Sequence, residues 1–316
     1  MVFRRHKMTV IGAGATGATT AHLLAIKGIG DVVLVDVAPG LPQSRGLDIF
    51  ESGPLEGFSG KVVGTNDYEV TKDSDVLVVT AGMPRKPGMS RMDLLQINAE
   101  IVFKVVEQAA QYSPNAVLVV LTNPADVMAY VAQRASGFSH QRVMGQAGVL
   151  DSSRFRTFLA DALNVSPLDV SAFVMGGHGD DMVPLLRYSH VGGIPVDQLL
   201  PADVLEAIVQ RTRTGGAEVL GFGKGSAFYA PASSIVEMVK SVLFDERRVL
   251  PVISYLNGPY GEQDIYVGVP AIIGANGIEK IIEIGFTPDE AEQFKRSVQS
   301  VREPLSQLNW DQFREA

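Results

Sequence analysis

Three glycines spaced G-x-G-x-x-G, at Gly12, Gly14 and Gly17, follow an apolar run at residues 8–11 and open a helical pattern at 18–26. A chain that does this commits its opening to a strand, a tight turn and a helix in immediate succession. The first glycine allows the turn, and the second lets backbone approach a pyrophosphate. The third permits close packing of helix on strand, while the helix N-terminus stabilises phosphate charge. Ala13, Ala15 and Thr16 complete that loop. Glycine turns are common, so the spacing needs context. A second apolar run at 32–35 ends in Asp36, 19 residues past Gly17, where a carboxylate can accept hydrogen bonds from ribose hydroxyls. Val37-Ala38-Pro39 follow, with no cation placed for a 2′-phosphate. The cofactor reading is therefore NAD rather than NADP.

The rest of the first half repeats this rhythm. Apolar, β-branched runs at 61–63, 76–80 and 117–121 read as buried strands, and 97–111 and 125–136 as helices between them. Strands apolar throughout and separated by helices imply a parallel sheet covered on both faces, an α/β class. The pattern then changes. A helix from about 151 to 163 leads into strands at 170–175 and 182–189, and long helical patterns follow near 201–220 and 230–244. Residues 249–256 and 265–273 read as antiparallel strands, and 288–308 as a C-terminal helix. Two domains result, 1–147 and 148–316.

Composition removes several function classes. The 316 residues are 46% hydrophobic and 20% charged, which excludes disorder. A net charge of -8 with no Lys/Arg-rich run argues against nucleic-acid or anionic-membrane partners. There is no cysteine, hence no disulfide, thiol catalysis or cysteine-bound metal. With no H-E-x-x-H and no G-x-S-x-G, neither a metal site nor a serine nucleophile is expected. The uncharged stretch 8–26 contains three Gly, four Thr and His22, which suits strand, turn and helix better than a signal core or membrane span. The expectation is a soluble, cytoplasmic protein.

Candidate chemistry lies at strand ends. Residues 82–91 carry Arg85, Lys86 and Arg91, with hinge-like glycines at 82 and 88 and no acid before Asp93. Arginine there suits an anionic ligand, since its planar fork gives a carboxylate two parallel hydrogen bonds; a solvated surface loop would carry the same residues. Of five histidines (6, 22, 140, 178 and 190), only His178 sits in a glycine-flanked strand-end turn, Gly176-Gly177-His178-Gly179-Asp180. That makes it the candidate general acid/base. Asp151 and Arg154 stand i and i+3 at a helix start, on one face. They can orient a histidine and grip a carboxylate, or simply form a local ion pair.

In combination these motifs, with Thr122-Asn123-Pro124 and Gly148-Val149-Leu150-Asp151, resemble the lactate/malate dehydrogenase family over nearly the whole chain. The form Met83-Pro84-Arg85-Lys86-Pro87-Gly88-Met89 is similar to the malate-specific members of its lactate-dehydrogenase-like branch, and lactate-specific members typically carry glutamine at Arg85. The resemblance implies a Rossmann-type NAD-binding domain over 1–147, then an α+β substrate-binding and catalytic domain over 148–316. It implies hydride transfer between (S)-malate and NAD+, giving oxaloacetate and NADH. His178 would be proton acceptor and donor and Asp151 its orienter. Arg91 would polarise the carbonyl, Arg154 would hold the carboxylate beside the reacting carbon, and Arg85 the distal one. Asn123 would bond the substrate; Asn98 and the backbone of Leu121, Thr122 and Asn123 would contact NAD. Ser226-Ala227 replaces an expected threonine, leaving room for the larger substrate. A homodimer or homotetramer is implied, with the apolar faces of helices such as 230–244 available to pack across a two-fold axis. A non-enzymatic NAD-binding sensor stays open, since fold alone does not guarantee chemistry.

Overall fold

The computed structural model of the chain describes residues 4–84, 90–223 and 225–313, and only the backbone of Arg91. Strands β1 (Lys7–Ile11), β2 (Asp31–Val35), β3 (Val62–Thr65), β4 (Val76–Val79), β5 (Val117–Val120) and β6 (Val143–Gly145) run parallel. Their spatial order, 3-2-1-4-5-6, is that of a doubly wound dinucleotide fold. Helices α1 (Ala15–Ile26), α2 (Leu41–Glu51), the single turn α3 (Gly53–Glu56), α4 (Arg91–Tyr112) and α5 (Ala125–Ser136) connect them. The residues of β4, Val-Leu-Val-Val, are all fully buried. Val76 and Val78 join one core layer, Leu77 and Val79 the opposite one. A strand covered on both faces gains about 1.5–3 kcal/mol from each such side chain, which is why it reads as an unbroken apolar run.

After β6 come α6 (Gly148–Leu163), the short strands β7 (Val170–Ser171), β8 (Val174–Met175), β9 (Val183–Pro184), β10 (His190–Val191) and β11 (Ile194–Pro195), and helices α7 (Ala202–Phe222) and α8 (Tyr229–Leu243). Strands β12 (Arg248–Leu256), β13 (Ile265–Gly274) and β14 (Gly277–Ile281) and helix α9 (Pro288–Ser306) follow. The antiparallel strands β12, β13 and β14 are present, but these three form no separate sheet. β12 pairs antiparallel with β6, Ile253 opposite Gly145, so one nine-stranded sheet passes through both halves.

Other expectations need revision. The runs 170–175 and 182–189 are broken: β7 pairs with β10, β8 with β9, and Leu186–Tyr188 is a 3-10 turn. Helix α4 begins at Arg91, six residues before 97, because Ser90 and Asp93 cap it reciprocally. The apolar face of α8 is spent inside its own chain: Ile235, Val236, Met238 and Val239 are buried in the core that includes Leu24 of α1. It is therefore not free for a two-fold partner. No helix of the described residues is long and apolar enough to cross a membrane.

Candidate active site

The strand order reverses between β1 and β4, and the loops leaving them touch. Thr80 Oγ1 donates toward the carbonyls of Ile11 and Gly12, both at 3.1 Å. Gly12 has φ +108°, and a Cβ there would meet the Ala81 amide nitrogen at 2.7 Å. A Cβ on Gly17 would overlap the Gly12 carbonyl. On Gly14 it would meet nothing within 4 Å, so that stretch of backbone lies bare beside the start of α1. Turn, close approach and open cradle thus fall on the three glycines in the order a pyrophosphate loop needs. At the end of β2, Asp36 accepts from the Ala13 amide at 2.6 Å and the Ala38 amide at 2.9 Å. It lies beside the cradle, with carboxylate lone pairs left for ribose hydroxyls. These groups fit NAD.

His178 is held by four neighbouring elements. Val174 donates its amide to Ser152 Oγ of α6 at 2.9 Å, and Gly176 exchanges hydrogen bonds with Gly268 of β13 at 2.8 and 3.2 Å. The Gly177 amide donates to Ser297 Oγ of α9 at 2.8 Å, and the His178 amide to Asp126 Oδ2 of α5 at 2.9 Å. The ring then meets Asp151: Nδ1 to Oδ2 is 2.8 Å. Asp151 is 2% exposed and takes Arg154 Nη1 on its other oxygen at 3.2 Å. Burial works to lower the His178 pKa, but the charge and hydrogen bond of Asp151, helped by Asp126, outweigh it and leave the pKa above the ordinary 6.5. With Asp151 on Nδ1, Nε2 is the nitrogen left for a substrate proton.

Arg154 lies against two adjacent glycines of α7, with Cδ 3.1 Å from where a Cβ of Gly215 would stand. Asp151 is its one hydrogen-bond partner among the described residues, so most of its five donors remain for an anion. A cavity of about 310 Å³ joins Arg154 and His178 to Thr16, Asn123, Ser226 and Ala227. Thr122 Oγ1 donates to the Ala81 carbonyl at 2.6 Å. The Asn98 side chain accepts from the Met83 amide at 2.7 Å and donates to the Asn123 carbonyl at 2.9 Å. It thereby ties the stem of the cationic loop to the cavity wall. Arg85 falls outside the described residues; Arg91 opens α4.

Two polar side chains at this site escaped sequence reasoning. Gln146, 2% exposed, lines the cavity, and its Nε2 has no hydrogen-bond partner among the described residues. Asp126, 4% exposed, was hidden because an acid in the first turn of a helix is ordinary capping chemistry. Of the other histidines, His140 stacks on Tyr255 at 3.5 Å and bonds the Tyr266 hydroxyl at 3.1 Å, a structural role. Among the described residues no cluster of three acids or histidines could hold a metal ion.

A nucleotide cradle at the switch point of the sheet, facing a histidine between carboxylates, defines the class: an NAD-dependent oxidoreductase. Comparison with known proteins narrows it. Residues 6–145 match the lactate/malate dehydrogenase NAD-binding domain and residues 148–309 the α/β C-terminal domain of the same family. The chain belongs to the lactate/malate dehydrogenase family. A malate dehydrogenase of Halalkalibacterium halodurans is 55% identical over 98% of this chain and 99% of its own length. The apo malate dehydrogenase of Picrophilus torridus superposes with a TM-score of 0.94 at 50% identity, covering 96% of this chain and 97% of that one. A lactate dehydrogenase of Cryptosporidium parvum, solved with lactic acid and nicotinamide adenine dinucleotide, gives 0.94 at 41% identity, covering 98% and 100%.

Proposed function

We propose that this chain is an NAD-dependent malate dehydrogenase, interconverting (S)-malate and oxaloacetate. The observation that carries the reading is the His178–Asp151–Arg154 chain, 2.8 and 3.2 Å long, beside the NAD cradle. The loop Gly12, Ala13, Gly14, Ala15, Thr16 and Gly17 takes the pyrophosphate, and Asp36 the ribose. Asn98 and the backbone of Leu121, Thr122 and Asn123 border the nicotinamide end. NAD held there would supply the hydride chemistry.

His178 takes the hydroxyl proton on Nε2 in oxidation and returns it in reduction, with Asp151 fixing its tautomer and favouring its charged form. Arg154 grips the carboxylate beside the reacting carbon through a paired contact. Asn123 bonds the substrate, Arg91 stabilises charge growing on its oxygen, and Arg85 meets the second carboxylate that malate has and lactate lacks. The halves 1–147 and 148–316 divide the labour, cofactor and loop in the first, proton carrier and Arg154 in the second. The protein works in the cytoplasm as a homodimer or homotetramer, without nucleic-acid or membrane partners. Exposed Leu47 and Phe50 on α2 support a partner copy.

The test is NADH oxidation at saturating cofactor with oxaloacetate and pyruvate side by side, for the native chain and Arg85→Gln. Native protein should prefer oxaloacetate. The variant should lose at least ~100-fold of that preference, since a buried carboxylate without its cation costs about 3 kcal/mol or more. An unchanged preference removes Arg85 as selector, and silence with both acids in protein that binds NADH restores the sensor.

A further inference from the structure

We infer that Asp126 is a positioning residue, a second counter-ion that sets the pH at which His178 holds its proton. The inference deepens the proposed function and rests on His178 as the proton carrier.

Asp126 stands in the first turn of α5, yet it faces inward and is 4% exposed. Its Oδ2 accepts the His178 amide at 2.9 Å, while Oδ1 is buried and bonds nothing among the described residues. If the turn needed only an acceptor for one N–H, a neutral side chain would serve without the cost of stripping water from a charge. A carboxylate with a bare buried oxygen depends instead on nearby positive charge. The helix N-terminus supplies part of it. The rest comes from the imidazole of the residue whose amide it already holds.

The charged surroundings are few. His178 attracts the ionised carboxylate and Asp151, from α6, opposes it. Arg154 lies beyond Asp151 and works against protonation of His178. Asp180 and Asp181 stand exposed on the rim of the cavity that Asp126 and His178 share. Burial pushes the Asp126 carboxyl up to about 6, against the hydrogen bond and charge of His178. Each group therefore favours the charged form of the other. Asp151 holds the ring by its Nδ1 and Asp126 holds the backbone of the same residue. One carboxylate thus bonds the ring and the other the backbone behind it, both charges favour the imidazolium, and the donor form needed for reduction survives to higher pH.

The experiment follows the imidazole directly. With five histidines in the chain, ring-carbon NMR titrations of the whole protein are assignable, His178 by loss of its signal in His178→Asn. Asp126→Asn keeps an acceptor for the His178 amide and removes the charge. It should lower the His178 pKa by about half a unit to one unit, and Asp126→Ala should lower it as well. A His178 pKa unchanged in whichever neutral variant folds overturns the proposal and leaves Asp126 a plain anchor. The pH limbs of oxaloacetate reduction and malate oxidation provide the separate check. If the NMR pKa falls and the limbs follow, both readings hold. If it falls and the limbs stay, Asp126 is still the counter-ion and His178 is not the proton carrier.

Discussion

Alanine at Gly215 should move stability and activity in opposite directions. Gly215 is buried in α7, a helix of 21 residues, where glycine costs about 1 kcal/mol relative to alanine. What the glycine provides is room: a Cβ would stand 3.1 Å from Arg154 Cδ and 3.5 Å from Nε. Carbon atoms rest comfortably at about 3.5–4.0 Å, so the arginine stem must retreat by roughly half an ångström. It cannot do so and keep its 3.2 Å contact with Asp151 unchanged. A misplacement of 1 Å can cost about 100-fold in rate, so half that distance should cost about 10-fold in kcat/KM, near 1.4 kcal/mol. Against that, the gain in helix propensity, less the squeeze, should raise stability by up to ~1 kcal/mol, or Tm by roughly 2–4 °C. Oxaloacetate reduction at saturating NADH and urea unfolding at one fixed protein concentration measure the two effects. If kcat/KM is unchanged, the glycine pair does not position Arg154. If stability and activity fall together, the substitution has only damaged the packing.

Further predictions concern Asp126 and Asn98, both buried. The raised pKa of Asp126 makes its ionisation a cost to the folded state, absent below the ordinary 3.8, growing as pH climbs toward about 6 and constant above it. The full cost is about 3 kcal/mol, so Asp126→Asn should resist urea better than the native chain near pH 8 and no better near pH 4. Asn98→Ala leaves the Met83 amide and the Asn123 carbonyl without partners. Urea unfolding should show a loss of about 2 kcal/mol, and fluorescence titration a weaker grip on NADH.

Much of the molecule could be read before any coordinates. The parallel strands announce themselves because burial on both faces leaves Val76–Val79 and Val117–Val120 wholly apolar, and the glycine loop carries its geometry in its spacing. Helix α2 leaves no clear signal because Leu41-Pro42-Gln43-Ser44-Arg45-Gly46 mixes breakers and polar residues ahead of a short apolar stretch. The early start of α4 is written in Ser90-x-x-Asp93, a capping signature set among the cations of the loop before it. The pairing of β12 with β6 lies more than a hundred residues apart along the chain, and nothing local encodes it. Asp126 looks like any first-turn acid until His178 folds onto it.

The bond between Asp36 and the Ala13 amide has an evolutionary consequence. The side chain proposed to read the cofactor's ribose also fastens the loop proposed to take its phosphates, through 2.6 Å to Ala13 and 2.9 Å to Ala38. Descendants that trade this acid for a phosphate-tolerant residue lose two amide anchors in the same step. Coenzyme preference in this lineage is therefore guarded by folding as well as by recognition: a changed preference requires a replacement at 36 that still accepts from both amides, or a second substitution that does so for it.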